Sequence, residues 1–483
     1  MSDIPLKYAL VSNDRLLDEI STQIFNQVSL TRKTDKKVNQ IYLENERLAI
    51  KFIINSLYQG FYSFPKSLVS LSLRAKDYSK SKFSYRALRR VFEALISLNF
   101  ISFRKGTEAS SKVTRIWPTK KLYIEFKKIG LVWRKYLIDN QETIIVRKKN
   151  LDGKKVIIKT PNTEKAKVIR ENIYFLNSTL SEHCIALDID DEAYVKLEIE
   201  LKKHYQRRFF GYFKEFTPTS INYARFKLYR VFSDEELTLH GRFYGGWWQL
   251  LPEKFRQHIT IDTLPTIEAD YSTLSLRMIY ALEKETIPKN KDLFDLGLNS
   301  SKEQRKIIKK FTYAIINDEK GRFRLSKENL KLLNITHEKL FSLIQQHHPI
   351  IKKYLGSKIG LQLMNYDSNI AEDIMINLYR KNIIVLPIHD SFIVALKFKN
   401  ELLNQMISSY KKYLGQTPEY DVSSLKIRTD IYDSFNQTKS QKELKKQESL
   451  DILLGKKSKI YHNFVTGWIH WNSRKSLMIK TKN

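Results

Sequence analysis

Two apolar, β-rich runs, Ile383-Ile384-Val385-Leu386-Pro387-Ile388 and Ser391-Phe392-Ile393-Val394-Ala395-Leu396, lie on either side of His389-Asp390. Runs of this kind predict two strands joined by a tight hairpin with the charged pair at its turn. A lone His-Asp pair is ordinarily a solvent turn. A hydrophobic hairpin that presents such a pair is unusual, because it commits both strands to a packed core while lifting one carboxylate out of the sheet.

A second stretch has the same character. Leu264-Pro265-Thr266-Ile267 reads as a short β approach to Glu268-Ala269-Asp270-Tyr271-Ser272-Thr273-Leu274-Ser275-Leu276-Arg277. Leu274, Met278, Ile279 and Leu282 then recur at helical spacing. The pattern predicts a strand ending on a carboxylate and turning into a helix. Asp270 can then reach a metal from the strand's end, or it can be the N-cap of the helix that follows.

The rest of the composition bounds the setting. The 483 residues suffice for two to four domains, and 42% hydrophobic with 12% aromatic residues supports packed cores. Lys and Arg number 84 against 52 Asp and Glu, a net charge of +32 that points to a polyanionic partner, most simply nucleic acid. Cys184 is the only cysteine, which excludes an intrachain disulfide and a cysteine-based zinc site and fits an intracellular, cytoplasmic setting. The start lacks a signal-like segment, no apolar run approaches spanning length, and no membrane partner is expected.

Residues 1–40 show no convincing period and read as an arm. Leu48, Ile50, Phe52, Ile53 and Leu57 predict a helix ending near Gly60, and a short apolar stretch runs from Pro65 to Leu73. Ser84 is a candidate N-cap for a helix whose apolar face is Leu88, Val91, Phe92 and Leu95, with Arg86, Arg89 and Arg90 largely off it. Two β-leaning segments, Phe100–Arg104 and Lys112–Trp117, follow. This order resembles a winged helix, which makes 41–135 a candidate DNA-binding domain with the three arginines toward DNA. A second hairpin, Thr143–Lys148 and Lys154–Lys159, flanks an Asp152-Gly153 turn, and a helix is expected from about Thr163 to Leu180. The acidic cluster Leu187-Asp188-Ile189-Asp190-Asp191-Glu192 reads as a solvated turn or helix cap rather than a metal site. Residues 136–235 form a basic, thumb-like connecting region.

Two more stretches carry chemistry. In His240-Gly241-Arg242-Phe243-Tyr244-Gly245-Gly246-Trp247-Trp248-Gln249, glycines beside aromatics and an arginine suit either close approach to a ligand or a turn over an aromatic core. Arg305, Lys309 and Tyr313 recur every fourth residue, which on a helix places them on one face across about 12 Å. Two cations beside an aromatic suit a nucleoside triphosphate, though a solvated basic helix has the same pattern.

Together these stretches resemble the superfamily of family A DNA polymerases and phage-type single-subunit RNA polymerases. The DYSQIELR pattern is similar to Asp270–Arg277, the R-xxx-K-xxx-F/Y helix to Arg305, Lys309 and Tyr313, and the terminal H-D-E or H-D-S-F motif to His389-Asp390-Ser391-Phe392. The Gly-Arg-x-Tyr stretch is similar to Gly241–Tyr244, and a helix from Ser368 to Arg380 stands where the family has one before its last motif. The resemblance covers residues 236–436 and leaves a basic tail, 437–483.

The resemblance implies a right-hand palm and fingers with an antiparallel palm sheet, which with the amino-terminal, mostly helical, winged-helix-like region makes an α+β fold. It implies that Asp270 and Asp390 hold two Mg²⁺ ions, with Mn²⁺ as a substitute, one activating a primer 3′-hydroxyl and the other neutralising the triphosphate. Arg305 and Lys309 would bind phosphates, Tyr313 and Tyr271 the nucleotide, and Arg242 and His389 the primer terminus or template. The implied partners are a DNA template and primer with dNTPs. Two departures matter. Ser275 stands where the family's sugar-crowding glutamate would be, which opens the site to NTPs, and Phe294 stands near a position often held by a triphosphate-contacting histidine. The expected function is a template-dependent DNA polymerase or primase-polymerase of a mobile element. The alternatives are a single-subunit RNA polymerase and a non-catalytic DNA-binding replication initiator.

Overall fold

The computed structural model describes residues 3–5, 11–12, 15–32, 39–62, 68–75, 83–106, 114–129, 137–138, 142–149, 155–208, 221, 223, 226–287, 291–298, 300–318, 323–355, 357, 359–423, 461, 465–466 and 468–469. The amino-terminal part runs β1 (Asp3–Pro5), β2 (Val11–Ser12), α1 (Arg15–Leu30), α2 (Gln40–Tyr62), β3 (Leu68–Leu71), α3 (Tyr85–Ser97), β4 (Ile101–Arg104), β5 (Thr114–Pro118), α4 (Lys120–Ile129) and β6 (Leu137–Ile138). The middle adds β7 (Ile144–Lys149), β8 (Lys155–Ile158), α5 (Glu164–Leu180), β9 (Ile185–Leu187), α6 (Asp191–Arg208), β10 (Tyr229–Phe232), β11 (His240–Tyr244) and α7 (Glu253–Arg256). The rest comprises β12 (Ile259–Ile261), β13 (Leu264–Tyr271), α8 (Leu274–Leu282), α9 (Lys302–Asn317), α10 (Lys327–Leu333), α11 (His337–His347), α12 (Ile359–Tyr379), β14 (Val385–Ile388), β15 (Ser391–Ala395), α13 (Lys399–Leu414) and β16 (Tyr420–Ser423). The fold is α+β, with mixed and antiparallel sheets and a largely helical amino-terminal region.

That region has its own core. α1 contributes Leu17, Ile20, Ile24 and Val28 at helical spacing to a cluster shared with α2, α3, α4 and strands β3, β4 and β5 of the sheet β1-β3-β5-β4. Residues 1–40 are therefore not simply an arm: a helix occupies Arg15–Leu30, its stripe diluted in the sequence by polar neighbours. Ser84 caps α3 as expected, accepting the N–H of Ala87, and β4 pairs with β5 over Ile101–Pro118.

A second core runs continuously from Ile144 to Leu414. Its central sheet has the order β14-β15-β13-β12-β9, with β16 also on β13. Every residue of β14 and β15 is buried, which is why the apolar runs show no alternation. Burying a side chain such as Phe392, fully inaccessible here, stabilises the fold by roughly 2–3 kcal/mol. A second sheet, β11-β10-β7-β8, packs against α12 through β11. α12 starts at Ile359, well before the expected Ser368, and ends at Tyr379. The acidic cluster caps α6, since Asp190 accepts the N–H of Ala193.

The strands of the second expected hairpin are present as β7 and β8, while its Asp152-Gly153 turn lies outside the described residues. Most of the basic tail, with Lys442, Lys445, Lys446 and Trp471, also lies outside them. Within it, Tyr461 and Val465 are buried against Cys184 and Ala186, and the Trp468 indole donates to the Glu182 carbonyl. No described helix is long and apolar enough to cross a membrane.

Candidate active site

Strand pairing brings the two aspartates together. Asp270 lies near the end of β13, opposite Ser391 of β15 on one side and Asp421 of β16 on the other. Asp390 immediately precedes Ser391, in the turn where His389 takes a φ of 57° and the Asp390 carbonyl accepts the Tyr271 N–H at 3.5 Å. The helix-cap alternative for Asp270 is excluded. The N-cap of α8 is Thr273, in a left-handed conformation and without a side-chain cap bond. Arg277 closes this corner instead, donating to Thr273 Oγ1 at 3.0 Å and to Glu419 Oε2 at 2.5 Å.

The electrostatics are lopsided. Desolvation, then the charges of Asp390, Glu268 and Asp421, push the Asp270 carboxyl up to about 7, with Lys309 pulling the other way. Asp270 is exposed as a residue, so any stability effect drawn from this shift is discounted for solvent screening. Glu268, two residues back on the same face, is engaged by Arg256 at 3.1 Å and by the Ser391 hydroxyl at 2.5 Å. Among the described residues no three His, Cys, Asp or Glu side chains form a metal-holding group. Asp270 and Asp390 nonetheless fit a hard divalent cation: both offer oxygen donors, their repulsion is what a cation relieves, and Mg²⁺ commonly takes one or two carboxylates and completes its shell with water and phosphate.

A stability consequence follows. The folded Asp270 keeps its proton to about 7 while the unfolded one loses it near 3.8, so stability falls as pH rises through that window and the loss is complete above it. In chelator at pH 8, Asp270→Asn should raise the melting temperature by about 2 °C, taking about 1 kcal/mol after discounting for exposure. At pH 4 the difference should vanish. Thermal melts at both pH values decide it, and an equal shift at both would remove this account.

α9 supplies the opposite charge. A capping box between Ser301 and Gln304 starts it, as an interlocked pair that satisfies two free N–H groups. Burial, then the charges of Asp390 and Asp270, hold the Tyr313 hydroxyl well above its ordinary range, so the ring is near both carboxylates. Phe294 is fully buried and lies edge-on to Tyr313 at 5.7 Å, with the Arg305 guanidinium 5.4 Å and the Lys309 ammonium 5.9 Å from its ring centre. Lys309 makes no ion pair among the described residues, whereas Arg305 holds Asp292 through Nε at 2.5 Å and Nη2 at 2.7 Å. Ser275 is half-buried in the first turn of α8.

Other expected residues sit differently. Tyr271 does not face a nucleotide with its side chain: strand alternation turns it from Asp270 into the core, where it is 3% exposed and donates to the Met406 carbonyl at 2.7 Å. Arg242 is bound within the fold by Asp367 of α12, at 2.7 Å from Nε and 2.6 Å from Nη2. Burial pushes the Asp367 carboxyl up to about 6 despite Arg242, and the Asp390 charge adds to it. His389 is exposed and meets the Tyr244 ring at 5.8 Å. The glycine-aromatic stretch is thus mainly a support for the hairpin, since Trp248 Nε1 and Gln249 Nε2 both donate to the Pro387 carbonyl.

In the amino-terminal region the three arginines part company. Arg86 and Arg89 are exposed, and Arg89 pairs with Glu93 at 3.1 Å. Arg90 instead faces the fully buried Glu46 at 3.1 Å, a carboxylate it shares with Arg32, and donates to the Val28 carbonyl.

Asp421 and Asp367 carry no signal in the sequence, since their partners Ser272 and Arg242 lie 149 and 125 residues away; Asp292 lies in the stretch that contains Phe294, but its pairing with Arg305 is not readable there. Glu268 was accessible by strand alternation from Asp270. No family model matches this chain, and no curated protein matches it.

Proposed function

We propose that the protein is a template-dependent nucleotidyltransferase, a DNA polymerase or primase-polymerase built as a right-hand palm and fingers with an amino-terminal winged helix. One observation carries the reading: Asp270 of β13 and Asp390 of the turn before β15 adjoin through the β13–β15 pairing, with Tyr313 of α9 near both and the Lys309 charge acting on Asp270. In this reading β13, β15, β14 and β16 are the palm, and α9 to α11 belong to the fingers. Asp270 and Asp390 would hold Mg²⁺ or Mn²⁺, which when bound would help activate the attacking 3′-hydroxyl and neutralise the leaving phosphates. Lys309 and Arg305 bind the triphosphate and offset charge that develops on it. Tyr313 packs on the incoming nucleotide. Extension of a primed DNA template in Mg²⁺ tests the reading; absence of incorporation with dNTPs and with NTPs would leave the DNA-binding initiator in its place.

A single-subunit RNA polymerase is favoured by one observation, the small side chain at Ser275 one turn beyond the aspartate strand. Ser275→Glu should raise selectivity for dNTPs over NTPs by about tenfold or more, by crowding the 2′ position. Competition assays on one primer measure it, and stringent dNTP selectivity in the wild type would sink the idea of an open sugar site.

For the winged helix, Arg86→Ala and Arg89→Ala should weaken duplex DNA binding and lower its salt dependence, each by a log–log slope of about 1. Arg90→Ala should act mainly on folding, costing about 1–2 kcal/mol through the loss of one partner of Glu46. Salt titrations and melting curves separate the two classes of arginine. Equal loss of DNA affinity in all three variants with no loss of stability in Arg90→Ala would overturn that division.

A further inference from the structure

The Arg305–Asp292 contact is more ordered than its surroundings require. Both side chains are about two-fifths exposed, at 40% and 38%, and an ion pair that open contributes little to stability. Yet Asp292 is held in place from several sides. Its Oδ1 accepts the Phe294 N–H at 3.0 Å. The adjoining Leu293 carbonyl accepts His348 Nε2 at 2.7 Å, and His348 Nδ1 in turn meets the Tyr280 hydroxyl at 2.8 Å. Leu293 and Phe294 are buried at 2% and 0% exposure, so the loop that carries Asp292 is fastened to α8 and to the end of α11. Phe294 also lies under the Arg305 guanidinium, its ring centre 5.4 Å from the guanidinium carbon.

The edge of the guanidinium that Asp292 takes is the informative point. Asp292 receives Nε and Nη2, the side-on edge. A guanidinium has a second fork, made by Nη1 and the remaining N–H of Nη2, which can grip phosphate oxygens in the same bidentate way. We propose that Asp292 is a positioning residue that clamps Arg305 side-on so that its end-on fork is presented to the phosphates of an incoming nucleotide. The proposal deepens, and rests on, the nucleotidyltransferase reading above. It also accounts for Phe294 at a position where a polar phosphate ligand was expected: the ring serves as the floor that orients Arg305 and Lys309. Arg305 correspondingly holds the Asp292 carboxyl below the usual carboxylate range.

The clamp and its opposite differ in sign. If Asp292 merely occupied Arg305 until a phosphate displaced it, Asp292→Asn would tighten anion binding. The clamp predicts weakening. Inorganic tripolyphosphate binding to the full chain should fall about tenfold in Asp292→Asn and recover in part in Asp292→Glu, which restores the charge. In an Arg305→Ala background Asp292→Asn should add nothing, since the two act as one unit. In primer extension Asp292→Asn should raise KM for the nucleotide with kcat within about twofold, at an unchanged melting temperature. Tighter or unchanged tripolyphosphate binding in Asp292→Asn, or an equal further loss in the Arg305→Ala background, would overturn the clamp. Failure of wild-type incorporation would overturn the polymerase reading instead, while the tripolyphosphate arms still judge the clamp.

Discussion

Asp270→Ala and Asp390→Ala should each leave a folded protein whose nucleotide incorporation is about a thousandfold slower or worse. In the proposed reading the two carboxylates would hold the cations that neutralise a transferring phosphoryl group, a stabilisation of several kcal/mol. At roughly 1.4 kcal/mol per tenfold, losing three such increments gives the stated fall. Folding should survive because neither side chain supports the core. Asp270 is open to water and Asp390 half-buried in its turn, whereas the strands beneath them are held by apolar residues and by pairing across Asp270–Ser391. Removing either charge also relieves the repulsion that, after burial, helps push the Asp270 carboxyl up to about 7. The measurement is primer extension with melting curves on the same preparations. Undiminished incorporation in both variants would refute the site, whatever the sugar of the nucleotide. A fall confined to Asp270→Ala would remove Asp390 from it.

How far this was legible in the sequence depended on whether each signal was local. The hairpin and the strand-to-helix corner are written in contiguous residues, so both are present at the expected places, and so is the Arg305–Lys309–Tyr313 helix face. What the spacing could not give is the direction of a side chain once the strand is placed. Tyr271 adjoins Asp270 in the motif, yet a period of two turns it into the core against Phe392 and Tyr410. Helix α1 was hidden for a related reason: its stripe of Leu17, Ile20, Ile24 and Val28 is interleaved with polar residues and becomes apolar only along one face. The acidic partners of Arg242, Arg305 and Arg277 lie 125, 13 and 142 residues away, distances over which composition carries no pairing information. Fixed arginines accordingly look free in the sequence, and Arg90 and Arg242 looked available to nucleic acid for that reason.

Arg230→Ala should be among the most destabilising single changes in the larger core, at about 3–5 kcal/mol. The guanidinium is wholly buried on β10. Nε donates to the Gly241 carbonyl at 2.6 Å, and Nη2 donates to Ser368 Oγ and Asn369 Oδ1, both at 2.8 Å. Nη1 lies 3.1 Å from Glu372 Oε2 as a charge contact without hydrogen-bond alignment. The rings of Phe232 and Phe243 lie 4.9 and 5.1 Å from the guanidinium carbon. One side chain therefore fastens the β10–β11 pair to α12, the helix that also carries the Asp367 partner of Arg242. Gly241 is part of the same fit: at a φ of 84°, a Cβ there would stand 2.8 Å from the Phe232 ring and 2.9 Å from Ser368 Oγ. Truncating Arg230 opens a cavity and leaves Glu372, 15% exposed, without its cation. Arg230→Lys should recover little, because one ammonium cannot reach both the Gly241 carbonyl and the α12 acceptors. Arg230→Met with Glu372→Met should recover more, since the desolvated charges leave together. Urea unfolding of the three variants checks the order. A loss under about 1 kcal/mol for Arg230→Ala would mean that the sheet and α12 are held by apolar packing alone.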